Sequence, residues 1–176
     1  MPVSKLLPVV AAALFALVSG CAPVSQPSVS TRLATEAPCD ASAFAPFIAG
    51  GTGRISGQAF MKTRGGDVKY GAGNEVMLVP AVSCAPRWWG EVGTKWRSRM
   101  TYPLGQAFHD ARRVKTADGE GRFVFENLAA GDYYVRSFVT WDVPTTYSAN
   151  TQGGLVGAMF RVREGETTEA ILPTIP

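Results

Sequence analysis

One histidine, three cysteines and four tryptophans are the side chains of this 176-residue chain with the most chemistry to offer. A single histidine, His109, cannot build the sites of metal hydrolases or non-haem iron enzymes, which need several His, Cys or carboxylate ligands. No Gly-x-Ser-x-Gly elbow is present to expose a serine nucleophile. The chain is therefore read as non-enzymatic, with no catalytic residue, no metal ligand and no cofactor. Binding is a better fit. Arg64 to Asn74 is a long connection with four glycines, three charges and a tyrosine. There Asp67, Lys69 and Tyr70 are presented on a glycine-shaped backbone, the make-up of a binding loop. The glycines do not make a phosphate-binding loop, because the lysine is misplaced and no strand-loop-helix context surrounds it. The plain alternative is a long hairpin without a ligand.

The second candidate is Ser83 to Ala111, which contains Trp88, Trp89, Trp96, Tyr102, Phe108 and His109. Arg87, Lys95, Arg97, Arg99, Arg112, Arg113 and Lys115 give the region a basic cast. Tryptophan with arginine is the residue pairing of protein hot spots and of stacking platforms for sugars. Basic residues close to a membrane can also meet anionic lipid heads. Against this stands packing: Trp88 and Trp89 can equally lid the end of a core. Indoles exposed in a flat row favour sugar, and buried indoles favour a protein scaffold.

These segments need elements to position them, and the pattern is one of strands. Runs rich in β-branched, aromatic and aliphatic residues fall at 54–63, 75–82, 122–126, 133–141, 155–162 and 167–172, separated by Gly, Asp, Asn and Pro clusters. Such spacing predicts an all-β, antiparallel sandwich of about seven strands, with residues 83–111 as one long insertion that does not fit the strand pattern. Before the strands, 39–48 reads as a short helical turn capped by Asp40, with Phe44, Phe47 and Ile48 on one face. Gln152-Gly153-Gly154, following Trp141-Asp142, lies on a further connection. If it sits at the same end as 64–74, the segments build one face.

Asp118 to Val135 carries the sharpest fold signal. Asp118-Gly119 suits a tight turn, Phe123 and Phe125 share one strand face, and Leu128 plugs the core end. Gly131 then precedes Tyr133 at the spacing of a tyrosine corner, whose phenol bonds backbone. Gly57, Val76, Leu78, Asp118, Gly121, Phe123, Phe125, Leu128, Gly131, Tyr133 and Val135 together resemble the signature of the carboxypeptidase regulatory-like domain, a transthyretin-like sandwich. The resemblance covers about 54–172. It implies a fold and an accessory or structural role, and fold alone does not fix function. The iron ligands of intradiol dioxygenases and the histidines and terminal motif of hydroxyisourate hydrolases, relatives in this fold, are absent here.

The amino terminus adds a location. Lys5 is followed by the apolar stretch Leu6 to Val18 and then by Ser19-Gly20-Cys21, which reads as a secretory signal too short to span a bilayer. The break at Cys21 resembles the lipobox of bacterial lipoproteins. That resemblance implies cleavage after Gly20, acylation of Cys21 and a membrane anchor, and Ala22 implies the outer membrane, with the domain facing the periplasm. Residues 21–38, rich in Pro, Ser, Thr and Ala, form a flexible tether spanning roughly 20–25 Å, and 39–176 is the folded domain. Removing Lys5 with the leader leaves 16 basic against 14 acidic side chains, too balanced to argue for nucleic acid. Cys39 and Cys84 can pair in an oxidising compartment, the alternative being two free buried thiols. The resulting expectation is an envelope lipoprotein whose sandwich binds a protein partner or acts as a scaffold. The type VI secretion lipoprotein is similar in architecture. The second expectation is a carbohydrate- or peptidoglycan-binding module using Trp88, Trp89 and Trp96.

Overall fold

The computed structural model describes residues 39–95, 104–146 and 148–176. Cys21, the leader, the tether and Trp96 lie outside the described residues. Eight strands form two four-stranded sheets packed as a β-sandwich. The first sheet is built on β1 (Gly53–Lys62). It pairs antiparallel with β5 (Arg122–Leu128), parallel with β8 (Thr167–Leu172), and by its last residues with β2 (Val68–Tyr70). The second sheet has the order β4 (Arg113–Thr116), β3 (Glu75–Pro80), β6 (Gly131–Pro144), β7 (Ala149–Val162).

Period-two alternation explains the core. In β6, Tyr133, Val135, Ser137 and Val139 are buried while their neighbours are not. Ile55 and Ala59 of β1, Val76 and Leu78 of β3, Phe123 and Phe125 of β5, and Ala170 and Leu172 of β8 meet them between the sheets. Ser137 is tolerated inside because its hydroxyl donates to the Glu75 carbonyl at 2.9 Å. Gly57 is required by close approach: a Cβ there would stand 2.6 Å from the Phe123 ring and 2.9 Å from Ala170 Cβ. The Tyr133 phenol donates to the Ala129 carbonyl at 2.8 Å, closing the corner that its spacing predicts. Burial pushes its pKa up to about 12.

The described part of the insertion is helical. It comprises α2 (Ala85–Trp88), a π-type turn at Trp89–Gly93, and α3 (Gln106–Ala111). With α1 (Ala45–Ala49) it builds a second apolar cluster around Phe44, Val79, Trp88 and Phe108. Phe108 meets Phe44 and Trp88 edge to face, at 6.0 and 5.2 Å. Cys39 and Cys84 are joined in a disulfide with Cα atoms 5.0 Å apart. Alongside it, the Asp40 amide donates to Ser83 Oγ at 2.7 Å. Asp40 also caps the turn at Ala41–Phe44, accepting from the Ser42 amide.

Eight strands stand against about seven expected, and two of them, both short, match none of the six runs read from the sequence. β2 occupies part of the presumed loop 64–74, and β4 follows the insertion. Each is too short to show alternation on its own, and pairing with a longer neighbour makes it a strand. Ile48 was expected beside Phe44 and Phe47 but is exposed, because α1 ends at Gly50 before another turn can carry it inward. Arg113 ties the sheets at this end: its guanidinium donates to the carbonyls of Glu126 (2.7 Å) and Asn127 (3.0 Å). At the opposite edge, the tail after β8 runs beside β7. The Gly157 amide donates to the Pro173 carbonyl and the Ile175 amide to the Leu155 carbonyl.

Candidate functional site

Two hairpins project from one end of the sandwich. In the first, β1 turns into β2 at Thr63–Asp67. The Thr63 amide donates to the Asp67 carbonyl at 2.8 Å, and the Asp67 amide returns a bond to Thr63 Oγ1 at 3.1 Å. In the second, β6 and β7 stay paired from Gly131–Val162 out to Pro144–Ala149, well past the buried core. Between them lies an open groove of about 840 Å³. One wall is Lys62, Thr63, Arg64, Gly65, Asp67 and Lys69, and the other is Trp141, Asp142, Val143, Pro144, Gln152 and Gly153.

The same alternation that builds the core aims side chains into this groove. Trp141 and Val143 continue the inner series of Val135 and Val139, and Gln152 stands directly opposite Trp141. Trp141 is half-buried and packs against the main core, so its remaining surface forms the groove floor. Lys69 is opposite Met61, a residue that itself packs on the core, which turns Lys69 inward. Gly153 lets β7 run close against β6: its φ is +125°, and a Cβ would stand 2.9 Å from Thr140 Cα. On the outer face, Asp142 Oδ1 accepts from the Thr151 hydroxyl at 2.7 Å.

The structure therefore brings together only part of the residue set expected from sequence. Asp67 and Lys69 line the groove, and so do Gln152 and Gly153. Tyr70 does not. It pairs with Phe60 on the other face of the hairpin and is 45% exposed there, because the strand period puts neighbouring side chains on opposite sides. Trp88 is corrected as a ligand platform: it is 5% exposed, inside the second cluster. The Arg136 guanidinium lies over it at 5.6 Å and donates to the Gly93 carbonyl at 2.7 Å, so Trp88 is packed as a lid. Burial lowers the Arg136 pKa, and the flanking rings and carbonyl hold the cation in place. Trp89 is half-buried and spends one face stacked on Tyr134, 4.6 Å away and 10° from parallel. Neither indole belongs to an exposed flat row. The groove tryptophan is Trp141, which sequence reading placed in a strand without assigning it to a site. Counting the inner series two residues beyond Val139 was the signal that could have found it.

Among the described residues, no three of His, Cys, Asp or Glu are grouped to hold a metal ion. No helix among them is long and apolar enough to cross a membrane.

No family model matches this chain, and no curated protein matches it. A solved structure does. It is a crystal structure from Pseudomonas aeruginosa, described as a candidate carbohydrate-binding protein. It is 26% identical, with a TM-score of 0.60, over 71% of this chain and 90% of that one. Two sheets with this connectivity and no closed barrel define the protein as an all-β sandwich.

Proposed function

We propose that this chain is a non-enzymatic glycan-binding module that uses the groove between the two hairpins. The observation that carries the reading is Trp141, half-buried at the groove floor, with Gln152, Lys69 and Asp67 around it. An indole face offers a flat apolar surface to the C–H face of a pyranose, and a rim of amide, ammonium and carboxylate suits its hydroxyls. The likeness to the Pseudomonas aeruginosa protein supports a carbohydrate ligand over other small molecules. This differs from the tryptophan platform expected in the insertion. The test is a glycan array followed by calorimetry on the protein and its Trp141→Ala variant. Specific binding lost in the variant supports the reading, and binding of equal strength overturns it.

A protein-binding or scaffold role is the second reading, favoured by Ile171, 66% exposed on the outer face of the first sheet. Recovery of one stoichiometric envelope protein, lost on Ile171→Asp, would favour it. We propose as well that the chain is an outer-membrane lipoprotein carrying a carboxypeptidase regulatory-like domain. Cleavage after Gly20 and acylation of Cys21 would put the domain on the outer membrane, facing the periplasm. The carboxypeptidase regulatory-like assignment rests on the Gly57, Phe123, Phe125 and Tyr133 pattern. Fractionation of Cys21→Ser tests the anchor: the variant should leave the membrane pellet, and unchanged sedimentation would refute acylation.

A further inference from the structure

We infer that the ligand of the groove is a carboxylated glycan, one with a carboxylate on a pyranose ring or on a substituent next to it. The inference deepens the glycan-binding reading and rests on it. Its basis is that the two walls differ in chemistry. The wall from β1, β2 and their turn offers Arg64 and Lys69 against one carboxylate, Asp67, a surplus of one positive charge, with Lys62 beside it on the outer face of the strand. Among the described residues, neither Arg64 nor Lys69 has an ion-pair partner. Arg54, Arg87, Arg122, Arg161 and Arg163 each stand against a carboxylate, while among the described residues Lys95, Arg112 and Lys115 outside the groove do not. The other wall supplies the indole and the amide of Gln152, and its one acid, Asp142, already accepts the Thr151 hydroxyl.

A sugar ring stacked on Trp141 turns one edge toward the basic wall. A neutral ring leaves those cations to water. A ring carboxylate exchanges that water for charge-assisted hydrogen bonds to Lys69 and Arg64, which are about twice as strong as neutral ones. A cleft with surplus charge of one sign also raises the local concentration of an oppositely charged ligand. Lys69 is directed inward by its register opposite Met61, and the Thr63–Asp67 bonds fix the backbone of the turn from which the exposed Arg64 side chain reaches the groove. Two sources share this chemistry: a polymer of hexuronic acids, and the lactyl carboxylate of N-acetylmuramic acid in peptidoglycan.

The test is calorimetry of the full chain in detergent against four probes. These are oligogalacturonate, a peptide-free oligomer of alternating N-acetylglucosamine and N-acetylmuramic acid, oligo-N-acetylglucosamine and oligogalactose. One acidic probe should bind at least about tenfold more tightly than the neutral ones, and its affinity should fall severalfold between about 50 and 500 mM NaCl. The acidic probe that binds identifies the source. Arg64→Gln and Lys69→Gln should each weaken it about fivefold or more, leave neutral probes within about twofold, and keep the melting temperature. Arg64 is exposed on a turn, so its variant folds even if Lys69→Gln does not. Neutral probes bound as tightly as acidic ones, without salt dependence, overturn the carboxylate and leave the glycan reading standing. No binding of any probe overturns both.

Discussion

Trp141 and Gln152 face one another across the β6–β7 ladder, two register pairs beyond Val139 and Gly154, where the sealed core gives way to the groove. The indole thus has one side against the sandwich interior and one side in the groove. Trp141→Ala should weaken glycan binding tenfold or more, about 1.4 kcal/mol. It should also lower stability by roughly 1–2 kcal/mol, since only part of the ring is buried. Gln152→Ala should cost about threefold in affinity with little shift in melting, because Gln152 is exposed. Calorimetry and thermal melts on the same preparations separate the two effects.

Phe125 and Trp88 serve as controls, one for each apolar cluster. Both are almost fully buried. Phe125→Ala and Trp88→Ala should each destabilise by about 3–5 kcal/mol in denaturant titrations, while folded protein retains groove binding. A Trp88 variant of near-native stability that loses ligand would return the insertion to candidacy as a binding surface.

The Cys39–Cys84 bridge spans 45 residues of sequence. The chain-entropy model gives about 4 kcal/mol for a loop of this length, toward the upper end of what disulfides deliver. Reduction, or Cys84→Ser, should lower the denaturation midpoint accordingly and loosen α1 and α2 first. Hydrogen exchange should show faster amides around Phe44 and Trp88, with β6 still protected.

Tyr133 predicts a loss of stability in base. Its pKa is about 12 in the fold because burial disfavours the phenolate, against about 10 in an unfolded chain. The folded state therefore binds the proton more tightly, so this contribution is complete below pH 10 and is lost as pH rises through about 12. Chemical denaturation at pH 9 and pH 11 should show the drop, and Tyr133→Phe should lessen it.

The sandwich was readable because its strands are long enough to alternate. The phenylalanines of Arg122–Glu126, the glycine two residues before Tyr133, and the Asp118 turn whose carboxylate takes the Glu120 and Arg122 amides are all local signals. Strands β2 and β4 are three and four residues long and take their conformation from β1 and β3. No local pattern carries that information. The site was half legible for a related reason. Asp67 and Lys69 stood out as charges among glycines, but which of Lys69 and Tyr70 turns inward depends on a register set by Met61. Trp141 looked like the end of a core strand because it is one. Only the length of the paired hairpin shows that the strand outruns the core. Trp88 and Trp89 drew notice by composition, and the burial of Trp88 depends on Phe108 and on Phe44, which arrives from outside the insertion.

The tail that runs along β7 has a consequence for self-association. An outer strand with free amides and carbonyls is a template on which another copy can extend the sheet, and a 14-residue strand is a long one. Here Pro173, Thr174 and Ile175 occupy the edge at Leu155–Gly157, and Pro173 has no amide with which to continue the pattern outward. A copy adding a strand at Leu155–Gly157 must first displace the tail. A chain shortened to Leu172 would keep every groove residue and gain an adhesive edge. Its failure would appear as fibrils or oligomers before it appeared as lost binding.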